Sequence, residues 1–122
     1  MNTDKSDYSK KLEDRLIQFA VSIVKIVKEL PSDRVGNHLG TQLLRSGTSP
    51  SLNYGEALGA ESKKDFLHKI GIVLKELRET MNCLRILFLT GYLKNEETLN
   101  ECNELISIFV KTAKTTKANL NK

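Results

Sequence analysis

Apolar residues recur at alternating intervals of four and three along most of the chain. Leu12, Leu16, Phe19, Ile23, Ile26 and Leu30 fall on one side of a helix, which the spacing predicts from about Ser9 to Leu30, with Pro31 as its stop. Residues 1–8 are polar and read as a loose lead-in. A second apolar row, Ile17, Ala20, Val24 and Val27, lies beside the first. Two rows make a wider face than a surface helix needs. Two explanations stay open: the helix is central in the domain, or the second row meets another subunit.

Val35, Leu39, Leu43 and Leu44 supply the apolar side of a second helix, with Ser32 as its expected N-cap and Asp33 in its first turn. Gly47, Pro50 and Gly55 then interrupt the pattern. Each Gly costs a helix about 1 kcal/mol and an interior Pro about 3. Gly47 fits a C-terminal cap, and Ser49-Pro50 fits a fresh start. The second helix is therefore expected either as two halves, about 33–46 and 50–60, or as one kinked helix.

A third helix is expected from Ser62 to Gly91, with Asp65 in the capping-box position and Phe66, Ile70, Val73, Leu77, Leu84 and Leu87 as its core row. Gly91 followed by Tyr92 and Leu93 fits a Schellman-type ending. Asn95 is the expected cap of a fourth helix carrying Leu99, Cys102, Ile106, Phe109 and Ala113. Four amphipathic helices with short connections and no competing strand pattern predict an all-α, antiparallel up-and-down four-helix bundle. At 122 residues, one domain is expected.

Charge adds one feature. Lys64, His68, Gly71, Lys75, Arg78, Asn82 and Arg85 follow the same spacing on the side of the third helix opposite its core row. This stripe holds four positive charges and no acid over about 30 Å, at 1.5 Å per residue. It suits a phosphate backbone, with Lys64, Lys75, Arg78 and Arg85 as the contacts. The competing reading is a solvated face whose cations pair with Glu61, Asp65, Glu76 and Glu79 on neighbouring rows. The net charge of +4 permits an acidic partner without demanding one. For Lys111, Lys114 and Lys117 near the end of the fourth helix the helix dipole is the favoured explanation, with a binding role as the alternative.

Catalytic chemistry finds little support. Glu76 and Glu79 share a side of the third helix, but no nucleophile, partner His or phosphate-cradling loop accompanies them. Arg45, Asn53, Glu56, Glu76 and Glu79 read instead as a structural polar network around the second helix. There Arg45 would pair with Glu56 or Glu76, and Asn53 would satisfy carbonyls freed by Pro50. Cys83 and Cys102 read as small core thiols that a hairpin could bring near each other. With His38 and His68 they show no metal-ligand spacing, and neither a metal nor another cofactor is expected. No apolar run is long enough to span a bilayer, and the polar N-terminus lacks a signal-type apolar region. A cytoplasmic protein with reduced thiols is expected.

The chain also resembles a known family. Leu30-Pro31, Gln42-Leu43-Leu44-Arg45-Ser46, Ser49-Pro50-Ser51-Leu52-Asn53-Tyr54-Gly55-Glu56-Ala57 and Ser62-Lys63-Lys64-Asp65-Phe66 are similar to the four-helix-bundle proteins encoded in 23S ribosomal RNA intervening sequences. So are Leu74-Lys75-Glu76-Leu77-Arg78-Glu79-Thr80 and Gly91-Tyr92-Leu93. The resemblance spans about Tyr8 to Asn119. It implies a bacterial bundle protein that assembles as a homopentamer. It also implies kinship with the accessory protein of diversity-generating retroelements, a basic barrel that binds nucleic acid and partners a reverse transcriptase. It supplies no catalytic residues. Residues and resemblance together predict a non-enzymatic accessory protein that binds RNA or DNA through repeated basic stripes. The alternative is a protein–protein scaffold.

Overall fold

The computed structural model describes residues 3–121, which form four α-helices: α1 (Thr3–Glu29), α2 (Arg34–Leu58), α3 (Lys63–Leu89) and α4 (Glu97–Leu120). Each helix packs on the next in sequence, and α1 closes the ring on α4 through the sparsest of the four seams. The core rows meet along the axis. Leu16, Phe19, Ile23, Leu43, Ile70, Val73, Leu77, Leu84, Leu87, Leu105 and Phe109 are fully buried. The Tyr54 ring of α2 meets Phe109 of α4 edge-on, with centroids 5.3 Å apart, so the two diagonal helices touch through the centre. Among the described residues there is no strand.

Three boundaries differ from the expectations. First, α1 begins at Thr3, so residues 3–8 are helical and not a loose lead-in; no Gly or Pro precedes Pro31 to stop the helix. Residues 1–2 of that segment lie outside the described residues. Second, the N-cap of α2 is Asp33, not Ser32. Its backbone is extended, and its carboxylate accepts the Gly36 N–H at 2.7 Å. The same carboxylate accepts the Tyr92 hydroxyl at 3.0 Å and so ties the α1–α2 turn to the α3–α4 turn. Third, the N-cap position of α4 is Glu96, whose side chain makes no capping bond. Asn95, one residue earlier, accepts the Glu97 N–H at 3.1 Å and serves one of the free donors of that turn.

Of the two forms expected for α2 the structure shows the single one: it is one helix across Gly47 and Pro50 and not two halves. Gly47 is no cap. It is buried against α1, where an added Cβ would stand 2.6 Å from Ile23 Cγ1. Pro50 is buried too. Packing between α1 and α3 thus overrides the local propensity. Short polar side chains bond back to the backbone on either side of Pro50: Thr48 to the Leu44 carbonyl, Ser51 to that of Thr48, and Asn53 to that of Ser49.

The other two signals hold. Ser62 caps α3 by accepting the Asp65 N–H at 3.0 Å. Gly91, at φ +84°, ends α3 in a Schellman arrangement, with Tyr92 N–H on the Leu87 carbonyl and Gly91 N–H on that of Phe88.

Candidate nucleic-acid interface

Because α3 buries Ile70, Val73, Leu77, Leu84 and Leu87, residues half a turn away must face outward. Lys64, His68, Gly71, Lys75, Arg78, Asn82 and Arg85 are all exposed. No ion pair within 4.0 Å involves Lys64, Lys75, Arg78 or Arg85 among the described residues. The acids proposed to neutralise them are engaged elsewhere or stand apart. Arg45 of α2 reaches over to α3 and bonds Glu76 at 3.0 Å and both Glu79 oxygens at 2.6 Å. The Arg45 guanidinium holds the Glu79 carboxyl below its ordinary range, and Lys75 adds a smaller contribution of the same sign. Glu61 and Asp65 hold none of the stripe's cations. The outer face of α3 is therefore a row of exposed positive charge with no direct ion pair among the described residues, Lys75 alone feeling a nearby acid, Glu79.

Of the five polar residues read as one network, three come together: Arg45, Glu76 and Glu79. Glu56 pairs with Lys69 at 3.1 Å, nearer the other end of the α2–α3 seam. The Asn53 amide donates to the Ser49 carbonyl and hydroxyl, not across a seam. Beneath the Arg45 cluster lies a polar pair that sequence reasoning missed. The Ser46 and Thr80 hydroxyls, both fully buried, are 2.9 Å apart, and Thr80 donates to the Glu76 carbonyl at 2.7 Å. Thr80 has one proton, so Ser46 supplies the one shared between the hydroxyls. The only sequence signal for this pair is two small polar residues on otherwise apolar faces.

A second missed contact joins α1 to α4. Arg15 Nε and an Nη meet the two Glu101 oxygens at 2.7 Å each, with Glu104 3.6 Å away. At one end of this seam a cleft of about 740 Å³ opens, lined in part by Lys25, Glu29, Tyr92, Lys94 and Glu97. Its charges alternate in sign, and nothing converges there on a reacting atom.

Both cysteines are free and buried, and they bond different carbonyls, Cys83 that of Leu39 and Cys102 that of Leu77. Burial pushes the Cys102 thiol up to about 12, far from a nucleophile's range. Among the described residues no three His, Cys, Asp or Glu side chains gather as metal ligands. No helix among them is long and apolar enough to cross a membrane. Lys111, Lys114 and Lys117 are exposed on α4, which runs antiparallel to α3, so the later two lie towards the Lys64 end of the stripe.

The solved structures include a similar bundle, the crystal structure of a protein of unknown function from the S23 ribosomal protein family of Bacteroides thetaiotaomicron. It is 35% identical, superposes with a TM-score of 0.79, and the match covers 84% of this chain and 98% of that one. No curated protein matches the chain. The family described as 23S rRNA-intervening sequence protein matches residues 11–112, nearly the whole bundle. By that match, and by a fold and sequence shared with a solved relative, the chain belongs to the 23S rRNA-intervening sequence protein family.

Proposed function

We propose that this protein is a non-enzymatic accessory protein that binds the phosphate backbone of RNA or DNA along the outer face of α3. The observation that carries the reading is the exposed row Lys64, Lys75, Arg78 and Arg85, which has no acid partner within ion-pair reach among the described residues. Such contacts position a ligand without reading its sequence. Self-association strengthens the reading, since each added copy repeats the stripe. Ile17, Val21 and Val24 leave an apolar row exposed on α1, while Ala20 and Val27 beside it are half-buried. A second copy covering that row would build the expected homo-oligomer, a pentamer if the family resemblance holds in assembly.

The test is fluorescence anisotropy of labelled structured RNA and duplex DNA across a salt series. Log affinity should fall with log salt by about 0.9 per phosphate contacted on B-DNA. Changing Lys64, Lys75, Arg78 and Arg85 together to Glu should abolish binding and leave the oligomer intact; unchanged affinity would sink the proposal. The scaffold reading has its own support in Leu89 and Ile86, which stand 76% and 48% exposed at the end of α3. It takes the lead if no binding survives at about 0.1 M salt, where charges interact over about 10 Å.

A further inference from the structure

Most of the glycines are explained within the fold. A Cβ at Gly36 would strike the Pro31 carbonyl, and one at Gly47 would strike Ile23. Gly59 ends α2, and Gly91 takes a positive φ. Three remain in helix interiors. Gly40 is buried, and its Cβ would make ordinary contact with Leu30 at 3.4 Å. Gly55 is half-buried, and its Cβ would make ordinary contact with the Glu13 carboxylate at 3.6 Å. Gly71 is exposed in the middle of α3, and its Cβ would meet nothing within 4 Å. Apart from proline, glycine is the least favourable residue in a helix interior. Nothing inside this fold accounts for it at 71.

What surrounds Gly71 indicates what could approach it. His68 precedes it by about one turn and Lys75 follows by about one turn. Lys64 and Arg78 stand seven residues to either side, about 10 Å along the axis at 1.5 Å per residue. A missing side chain at the centre of a cationic row makes a shallow seat where a ligand can reach the helix backbone. The same face of a second copy would bring like charges together, so the complementary occupant is anionic. Single strands are held mainly by stacking on aromatic platforms. Phe66 and Phe88 of α3 are half-buried against the core, so the His68 imidazole is the one ring on this face, too little for a platform that holds successive bases.

We infer that the sugar–phosphate backbone of a nucleic-acid duplex crosses α3 at Gly71, with Lys75 beside the crossing and Lys64 and Arg78 gripping phosphates to either side. The inference rests on the function proposed above and adds the form of the ligand and the point of closest approach. Duplex RNA and duplex DNA share this backbone chemistry, and their relative affinities tell which is preferred.

The full-length protein is titrated into short duplex RNA, the matching duplex DNA and each single strand. Wild type is compared with Gly71→Ala, Gly71→Leu, Asn103→Leu on the exposed face of α4, and the four-fold Glu variant. Gly71→Ala should raise Tm, through its better helix propensity, and still weaken duplex binding. Gly71→Leu should weaken it about tenfold or more, with an unchanged salt slope because no charge is removed. Asn103→Leu should bind as wild type. A position used only for folding would not gain stability and lose affinity together. If Gly71→Leu binds as wild type while the four-fold variant does not, the seat is wrong and the α3 interface stands. If wild type binds neither duplex nor single strand, both ideas fall; binding of single strands alone overturns the duplex assignment and leaves the α3 interface standing. Equal affinity for single strands overturns the duplex assignment. So does retention on a polyglutamate column, blocked by Gly71→Leu, in a protein that ignores duplexes, since the occupant would then be an acidic protein.

Discussion

Small residues close the buried centre of the seams around α2, leaving the charged pairs of Arg45 and Lys69 at the α2–α3 rim, whereas between α1 and α4 a long charged pair spans the seam itself. On α2, Gly47 lets the backbone come down on Ile23, and Ser46 fits a hydroxyl against Thr80 in the interior. Between α1 and α4 the chain uses Arg15 against Glu101, a pair whose side chains are 36% and 30% exposed. The centre of the first kind of seam is dry and has no slack. The second is wetter, wider and open at one end. A closely packed seam makes each atom matter, because an extra methyl has nowhere to go. A charged seam tolerates change, because water replaces what is removed.

The hardest test of that contrast is Gly47→Val. Its Cβ alone would stand 2.6 Å from Ile23 Cγ1 and 2.7 Å from Cγ2. Ile23 is fully buried and β-branched, so it has little freedom to turn aside. Overpacking of this kind costs about 3 kcal/mol, and Tm should drop by about 10 °C in a thermal melt. A variant that melts with wild type would show that the α1–α2 seam has room, and the contrast would collapse.

Thr80→Val comes next. It keeps the shape of the side chain, removes the hydroxyl, and strands the buried Ser46 hydroxyl. The expected loss is about 1–2 kcal/mol, read by urea unfolding. Adding Ser46→Ala should restore part of it, because no unsatisfied donor then remains. Additive losses would mean the two hydroxyls are not a unit.

These seams also mark where sequence could be read and where it could not. The four helices were legible because apolar periodicity reports which face is buried without knowing what covers it. The end of α3 was legible because Gly91 does a local job, a positive φ that other residues resist. Gly47 was misread for a related reason. A glycine that ends a helix and a glycine that lets a neighbour approach look alike in one dimension, and only Ile23 distinguishes them. Pro50 leaves the choice between two halves and one helix open in the sequence, since its local penalty is real but smaller than what α2 gains between two helices. The basic stripe could be drawn in advance because it is the complement of the core row. The partners of individual charges could not. Of the two partners expected for Arg45, Glu76 holds and Glu56 does not; Glu79 is the unexpected one, placed there by the axial register of α2 on α3. Arg15 and Glu101 are 86 positions apart, and no local pattern relates them. Gly71 appeared only as one member of the stripe; its significance required knowing that the space around it is empty.

The smallest effect belongs to the charged seam, and its small size is what the comparison requires. Arg15→Ala removes two 2.7 Å hydrogen bonds to Glu101 and the longer approach to Glu104. By geometry alone it looks more damaging than Thr80→Val, since a bidentate charged pair outranks a neutral hydroxyl bond. Exposure reverses the order. Glu101 is left partly hydrated, so it carries no penalty of the kind that falls on the stranded Ser46 hydroxyl. Glu104, already 67% exposed, returns fully to water. The expected loss is about 0.5 kcal/mol, the scale of a surface ion pair. It should shrink further in about 1 M salt, where the Debye length falls to about 3 Å. The Thr80→Val loss, being neutral and buried, should keep its size in the same buffer. Unfolding wild type and both variants at low and high salt therefore separates the seams in one experiment. If Arg15→Ala cost as much as Thr80→Val and ignored salt, the α1–α4 seam would be as dry as those around α2. The distinction between a closed and an open side of the bundle would then have to be abandoned.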